Sequence, residues 1–146
     1  MPSGAIPPQD LVATDSPPDE MFGTIFRNLR ASSLAAIGSA EHRLLAIPLL
    51  DETGAVAGGL WGCTVATWLI IEMLFVPEAF RCCGMGFALL RAAEREALAR
   101  GCRNAMLDTI SPDAARFFER LGFARFGTLE DFPPGHRRMF YRKSLA

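Results

Sequence analysis

Apolar positions along this chain change their spacing from block to block, and the changes outline its elements. From residue 21, Met21, Phe22, Ile25, Phe26 and Leu29 recur at three- and four-residue intervals, the period of one helix face. Ser16 ahead of Pro17-Pro18-Asp19-Glu20 supplies a cap, first-turn prolines and acids, which predict the start of that helix; its stripe fades by Gly38. Residues 44–50 are then a continuous apolar run, Asp51-Glu52-Thr53-Gly54 is turn chemistry, and extended character resumes over 55–63. Gly58, Gly59 and Gly62 weaken this strand and predict a bulge or a close backbone approach. Residues 66–76 form the longest apolar run, as expected of a central strand, with Glu72 its single charge. Helical spacing returns over 84–100. Leu89, Leu90, Ala93 and Ala97 share one face, Glu96 and Arg100 are one turn apart, and Gly101 is a stop. A short strand over 104–108 precedes Ser111-Pro112-Asp113, which caps a helix ending at Leu121-Gly122. Two strands over 123–129 and 137–143 flank the turn from Asp131 to His136.

This order predicts an α/β (α+β) fold, a single domain over residues 1–146. It has a central mixed sheet of six to seven strands with helices on both faces. Five of the ten prolines fall in the first twenty residues, so residues 1–9 are expected to be loosely ordered, with a short strand over 11–14.

Composition narrows the function classes. Half the residues are hydrophobic and the net charge is −1, which gives no electrostatic case for nucleic acid or a membrane surface. No Lys or Arg precedes Arg27, unlike a secretory or transit leader, and the apolar stretch from Trp68 to Val76 is far short of the ~20 residues that span a bilayer. The expectation is a cytoplasmic protein. Cys63, Cys82, Cys83 and Cys102 form no Cys-x-x-Cys pair and the two histidines are far apart, so no metal site is expected.

The chemistry concentrates in Phe75-Val-Pro-Glu-Ala-Phe-Arg81-Cys82-Cys83-Gly84-Met85-Gly86-Phe87. A strand, a glycine turn and a helix start follow one another directly. Backbone N–H groups at a helix start lack partners and carry the positive end of the helix dipole, so the stretch predicts a phosphate site. The two glycines would let the backbone close on the anion where a Cβ would collide.

Arg81-x-x-Gly84-x-Gly86, together with Phe117-Phe118-Glu119-Arg120-Leu121-Gly122-Phe123, resembles the GNAT superfamily of acetyl-coenzyme A dependent N-acetyltransferases, over roughly residues 10 to 145. The wording Gly58-Gly59-Leu60-Trp61-Gly62 and Pro133-Pro134-Gly135-His136 is similar to one bacterial subgroup of unnamed substrate. The resemblance implies acetyl-CoA as cosubstrate, with its pyrophosphate on the amides of Arg81, Cys82, Cys83, Gly84, Met85, Gly86 and Phe87. It implies that the pantetheine pairs with Leu74, Phe75 and Val76, as an extra strand would. Ser111 falls where the family has an asparagine, and Phe118 where it has the tyrosine that protonates the leaving thiolate. Cys82 stands where a glycine is usual.

The implied reaction is attack by a primary amine of a small molecule or peptide on the thioester. An alkyl amine has a pKa near ~10, so a base must take a proton. Glu72 is the first candidate, a carboxylate among apolar neighbours expected on the same face as Leu74 by alternation, where burial would raise its pKa. Asp108 is the second. Tyr141, the only tyrosine, is the candidate acid. The alternative is a non-catalytic acyl-CoA-binding sensor or regulatory module that kept the loop and lost the acid. A homodimer would cover the sheet edge left by the last strands.

Overall fold

The computed structural model describes residues 9, 11–37 and 41–145. All but the last of residues 1–9, expected to be loose, lie outside the described residues. The described chain falls into two units, one up to residue 38 and one from residue 39 onward.

The first unit carries α1 (Met21–Ile37). Its start is later than the capping signal predicts. The Met21 N–H bonds to the Pro18 carbonyl, and Asp19 and Glu20 form the turn before the helix. The Ser16 hydroxyl donates to Asp15 instead of capping. No strand forms over residues 11–14, where Leu11 and Val12 are exposed and, among the described residues of this unit, no strand edge offers a partner.

The second unit holds a six-stranded sheet in the order β1-β2-β3-β4-β6-β5. Its strands are β1 (His42–Leu50), β2 (Val56–Val65), β3 (Trp68–Phe75), β4 (Asn104–Thr109), β5 (Ala124–Glu130) and β6 (Arg137–Ser144). All neighbours are antiparallel except β3 and β4, joined in parallel by the crossover helix α2 (Met85–Ala99). A second helix, α3 (Pro112–Arg120), links β4 to β5. The central strand begins at Trp68 because Ala66, at φ 52°, belongs to the turn.

Both crossover helices lie on one face of the sheet. Lys143 and Tyr141, two residues apart on β6, reach Glu94 of α2 and Glu119 of α3, each at 2.8 Å. Leu89, Leu90, Ala93 and Ala97 of α2 pack with Ala115 and Phe118 of α3 and with Leu69, Ile71, Ala105, Leu107 and Tyr141 of the sheet in one buried cluster. The expected Glu96–Arg100 pair forms at 2.8 Å, and Arg100 also donates to the Leu44 carbonyl at 3.0 Å, tying α2 to β1.

All three β2 glycines serve close backbone approach, as their clustering predicts, Gly58 with a built Cβ 2.6 Å from the Phe75 carbonyl oxygen. A Cβ at Gly59 would stand 2.1 Å from the Ile47 carbonyl oxygen, and one at Gly62 2.2 Å from that of Ile70. The sheet is also bulged. Ala57 is the extra residue of β2 against β1, and Glu72 is the extra residue of β3 against β2, between the pairs Gly62–Ile71 and Trp61–Met73.

Candidate active site

β3 and β4 pair over only three registers, Trp68–Asn104, Leu69–Ala105 and Ile70–Met106, and then part. Beyond that point β3 keeps its outer partners through Gly59–Phe75, and β4 keeps its own through Thr109–Met139. The inner edges, from Ile71 to Phe75 and from Leu107 to Thr109, therefore face a wedge without ladder partners. Backbone amides and carbonyls require partners, so the wedge suits an extended ligand that carries amides of its own.

At the mouth of the wedge, β3 passes through Pro77 and a single 3₁₀ turn (Glu78–Phe80) into the loop and α2. Gly84 is the N-cap residue at φ 78°, and no side chain caps the helix. The first-turn N–H groups are therefore available to an anion. A Cβ built on Gly84 meets nothing within 4 Å, which leaves open space beside those amides.

Gly86 differs from the expectation that both glycines admit the phosphate. Its Cβ would lie 3.3 Å from Cζ of Phe117 and near Val76, so the missing side chain lets α2 pass against α3. Cys82 is at φ 63°, a region costly for any residue with a side chain. The Arg81 guanidinium turns back, Nε donating to the Val76 carbonyl at 3.0 Å, and the Cys83 thiol donates to the Phe80 carbonyl. Val76 thus already has a partner for its carbonyl, leaving Leu74 and Phe75 as the free part of the expected pairing. Met85 packs on the core, and Phe87 is exposed beneath the Arg91 guanidinium, 5.1 Å from its ring centroid.

The base candidates are placed differently from each other. Glu72 is the bulge residue and is exposed, so the burial expected of it is absent. The bulge also resets alternation. Leu74 packs with the core on the helix face, while Glu72 lies 3.9 Å from the thiol of Cys63, on the other face. The expectation that Glu72 and Leu74 share a face fails for this reason. Burial, then the Glu72 carboxylate, push the Cys63 thiol above its ordinary pKa.

Asp108 is neither cap nor turn. It is half-buried and accepts from Arg138 Nε at 2.5 Å, and Arg138 also lies over the rings of Phe132 and Phe140. That hydrogen bond holds the Arg138 guanidinium above its usual range.

Tyr141 is wholly buried on β6, its hydroxyl donating to Glu119 and accepting from Arg125 at 3.3 Å. Burial first and Glu119 second raise its pKa. The hydroxyl is committed to this network rather than free to serve the wedge. Glu119 and Arg125 also line a cavity of about 310 Å³ with His136 and Arg137. Ser111 accepts the Ala114 N–H at 3.2 Å as the cap of α3, and Phe118 is buried between the rings of Phe117 and Phe123.

Sequence reasoning missed two features. The Glu119–Arg125–Tyr141 network joins three elements and leaves no local spacing to detect. An exposed apolar hollow built on Trp61, Met73 and Phe75 was legible only as a strand too uniformly apolar to have one wet face.

β3 and β4 thus part into a wedge with a helix start free of any side-chain cap at its mouth. Residues 12–123 match the Acetyltransferase (GNAT) family, and the chain belongs to it. It is 44% identical over 107 residues to acetyltransferase Atu2258 of Agrobacterium fabrum, covering 73% of this chain and 78% of that one. It is 34% identical over 85 residues to the blasticidin-S acetyltransferase of Streptomyces morookaense, covering 58% and 62%. A crystal structure from Agrobacterium tumefaciens, provisionally named an acetyltransferase, superposes with a TM-score of 0.87 at 38% identity over 93% of this chain and 99% of that one. An acetyltransferase of Bacillus cereus superposes with a TM-score of 0.74 at 27% identity, over 90% and 97%. The protein is an acetyltransferase enzyme, and its family generally uses acetyl-CoA. Among the described residues, no helix is long and apolar enough to cross a membrane.

Proposed function

We propose that the chain transfers the acetyl group of acetyl-CoA to a primary amine of a small molecule or peptide by direct attack. The observation that carries this reading is the parting of β3 from β4 after Ile70 and Met106, directly before an uncapped helix start. In this reading the amides from Cys82 to Phe87 hold the pyrophosphate, with Gly84 leaving room for it; the Arg81 N–H, expected among them, is bonded to the Glu78 carbonyl instead. The free inner edge at Leu74 and Phe75 pairs with the pantetheine amides. A backbone N–H of the same edge faces the thioester oxygen as it gains charge.

Glu72 is the proton acceptor in this reading, directly or through water, because Asp108 is engaged by Arg138 and Tyr141 by Glu119 and Arg125. No hydroxyl stands at Phe118. A thiolate leaves without much help, so solvent protonates it. A relative named for blasticidin S supports a small-molecule acceptor.

The test is a thermal shift with acetyl-CoA followed by thiol release across a panel of amines. Ligand at 100 times its dissociation constant should stabilise by about 2.7 kcal/mol. No shift would remove the cofactor site. A shift without amine-dependent thiol release would return the protein to the binding-module alternative, against the enzymes of its family. Glu72→Gln should keep binding and slow turnover; unchanged turnover removes Glu72 from the mechanism.

A further inference from the structure

The sheet face away from α2 and α3 carries a hollow of about 510 Å³ beside the wedge. Its floor is Trp61, Met73 and Phe75, which are 45%, 60% and 56% exposed. Trp61 and Met73 are direct cross-strand partners, and Phe75 follows two residues on. None of the residues lining the hollow carries a charge. In a regular strand Glu72 and Met73 would point to opposite faces. The bulge brings both out on this one, and Glu72 stands over Cys63, two residues from Trp61. A carboxylate therefore borders a broad apolar floor at the edge of the wedge, with no cation in the lining.

We propose that this surface is the acceptor site, and that it selects a primary amine carried on an aromatic or otherwise flat apolar body. The inference rests on the acetyl-transfer reading above. The body would lie on Trp61, Met73 and Phe75, where apolar area leaves water and rings stack. The ammonium would meet Glu72, opposite charge to opposite charge. The nitrogen forms its bond to the acetyl carbon as the carbon–sulfur bond breaks. An ammonium and an acetyl thioester thus give an N-acetyl amide, a free thiol and one proton. A polyamine would leave the apolar floor wet, and an acidic peptide would be repelled by Glu72.

The experiment measures thiol release from acetyl-CoA with 2-phenylethylamine, tryptamine, spermidine and an acidic peptide with a free N-terminus. The arylalkylamines should exceed spermidine in kcat/KM by about tenfold or more. Trp61→Ala should raise KM for 2-phenylethylamine by about tenfold with kcat and acetyl-CoA binding little changed, and Trp61→Phe should restore most of it. Met73→Lys, at an exposed position, should raise the same KM by repelling the ammonium, and stands in if Trp61→Ala does not fold.

Turnover with spermidine or peptide but not with arylalkylamines would overturn the proposal while leaving acetyl transfer intact. So would an unchanged KM in both variants, or a dimer that Trp61→Ala dissociates without altering KM. Absence of turnover with every amine would instead count against the transfer reading itself.

Discussion

Replacing Cys82 with glycine tests the loop at its most strained point. Cys82 sits at φ 63°, where a side chain crowds the following carbonyl at a cost of roughly 1–2 kcal/mol. Glycine relieves this, but it gains freedom in the unfolded chain worth about 0.4–1 kcal/mol in the opposite direction. The side chain is exposed, so lost burial adds little. The net expectation is a stabilisation of about 0.5–1 kcal/mol, or a rise in Tm of about 2 °C for a chain this size. Cys82→Val should move the other way by about 1 kcal/mol or more, because a β-branched residue fits this region worst. Differential scanning calorimetry of the three proteins decides the sign, and titration with acetyl-CoA reads the functional side. The glycine variant should bind at least as tightly as the parent, since one Cβ has left the surroundings of the loop amides. A fall in Tm on Cys82→Gly, or a neutral Cys82→Val, would refute the loop geometry on which the phosphate site is built.

Native protein treated with iodoacetamide should gain label at exposed Cys82 and Cys83 while buried Cys63 and Cys102 react only in denaturant, and acetyl-CoA should slow the first pair; mass spectrometry counts the adducts. Tyr141 is the only tyrosine, so alkaline difference absorbance follows it alone, and it should ionise above the ordinary value of about 10. Because its folded pKa is raised, its contribution to stability is complete below the unfolded pKa and is lost as pH rises from there through the folded one. Phe118→Tyr places a hydroxyl in the buried cluster of the Phe117 and Phe123 rings and should lower stability by about 1–3 kcal/mol; a stable variant with turnover raised about tenfold would mean instead that the hydroxyl reaches the thiolate. Gly62→Ala, whose Cβ would meet the Ile70 carbonyl, should break the β2–β3 ladder and fail to give soluble folded protein.

Much of the fold could be read in the chain because its signals are local. The stripe of Leu89, Leu90, Ala93 and Ala97 and the cap at Ser111 each depend on residues within a turn or two, and α2 and α3 follow. The loop from Arg81 to Gly84 was legible for the same reason. Its second glycine was misread because the partner that requires it, Phe117, is distant in sequence and meets it only once α2 and α3 pack. The fates of Asp108 and Tyr141 were hidden likewise. Arg138 reaches Asp108 across the β4–β6 ladder, and Arg125 and Glu119 reach Tyr141 from β5 and α3, pairings fixed by tertiary register alone.

The bulge at Glu72 shows how much function can hang on one inserted residue. Period-two reasoning from Leu69 and Ile71, both in the core, sets Glu72 on the opposite face and would carry Leu74 there with it. With Glu72 as the extra residue, Leu74 returns to the core and Met73 turns out beside the carboxylate and Trp61. The glycine at 62 makes this arrangement tolerable, because the Ile70 carbonyl approaches too closely for any Cβ there. The bulge follows the end of β3–β4 pairing at Ile70 and lies within the unpaired edge of the wedge. A strand that twists more sharply at a bulge cannot stay in register with a straight parallel neighbour. On that argument, and on the proposed reading, the opening that would receive the donor and the turning of Met73 toward the acceptor side have one structural origin. Deleting Glu72 should therefore cost both acetyl-CoA binding and turnover, whereas Glu72→Gln should cost turnover alone.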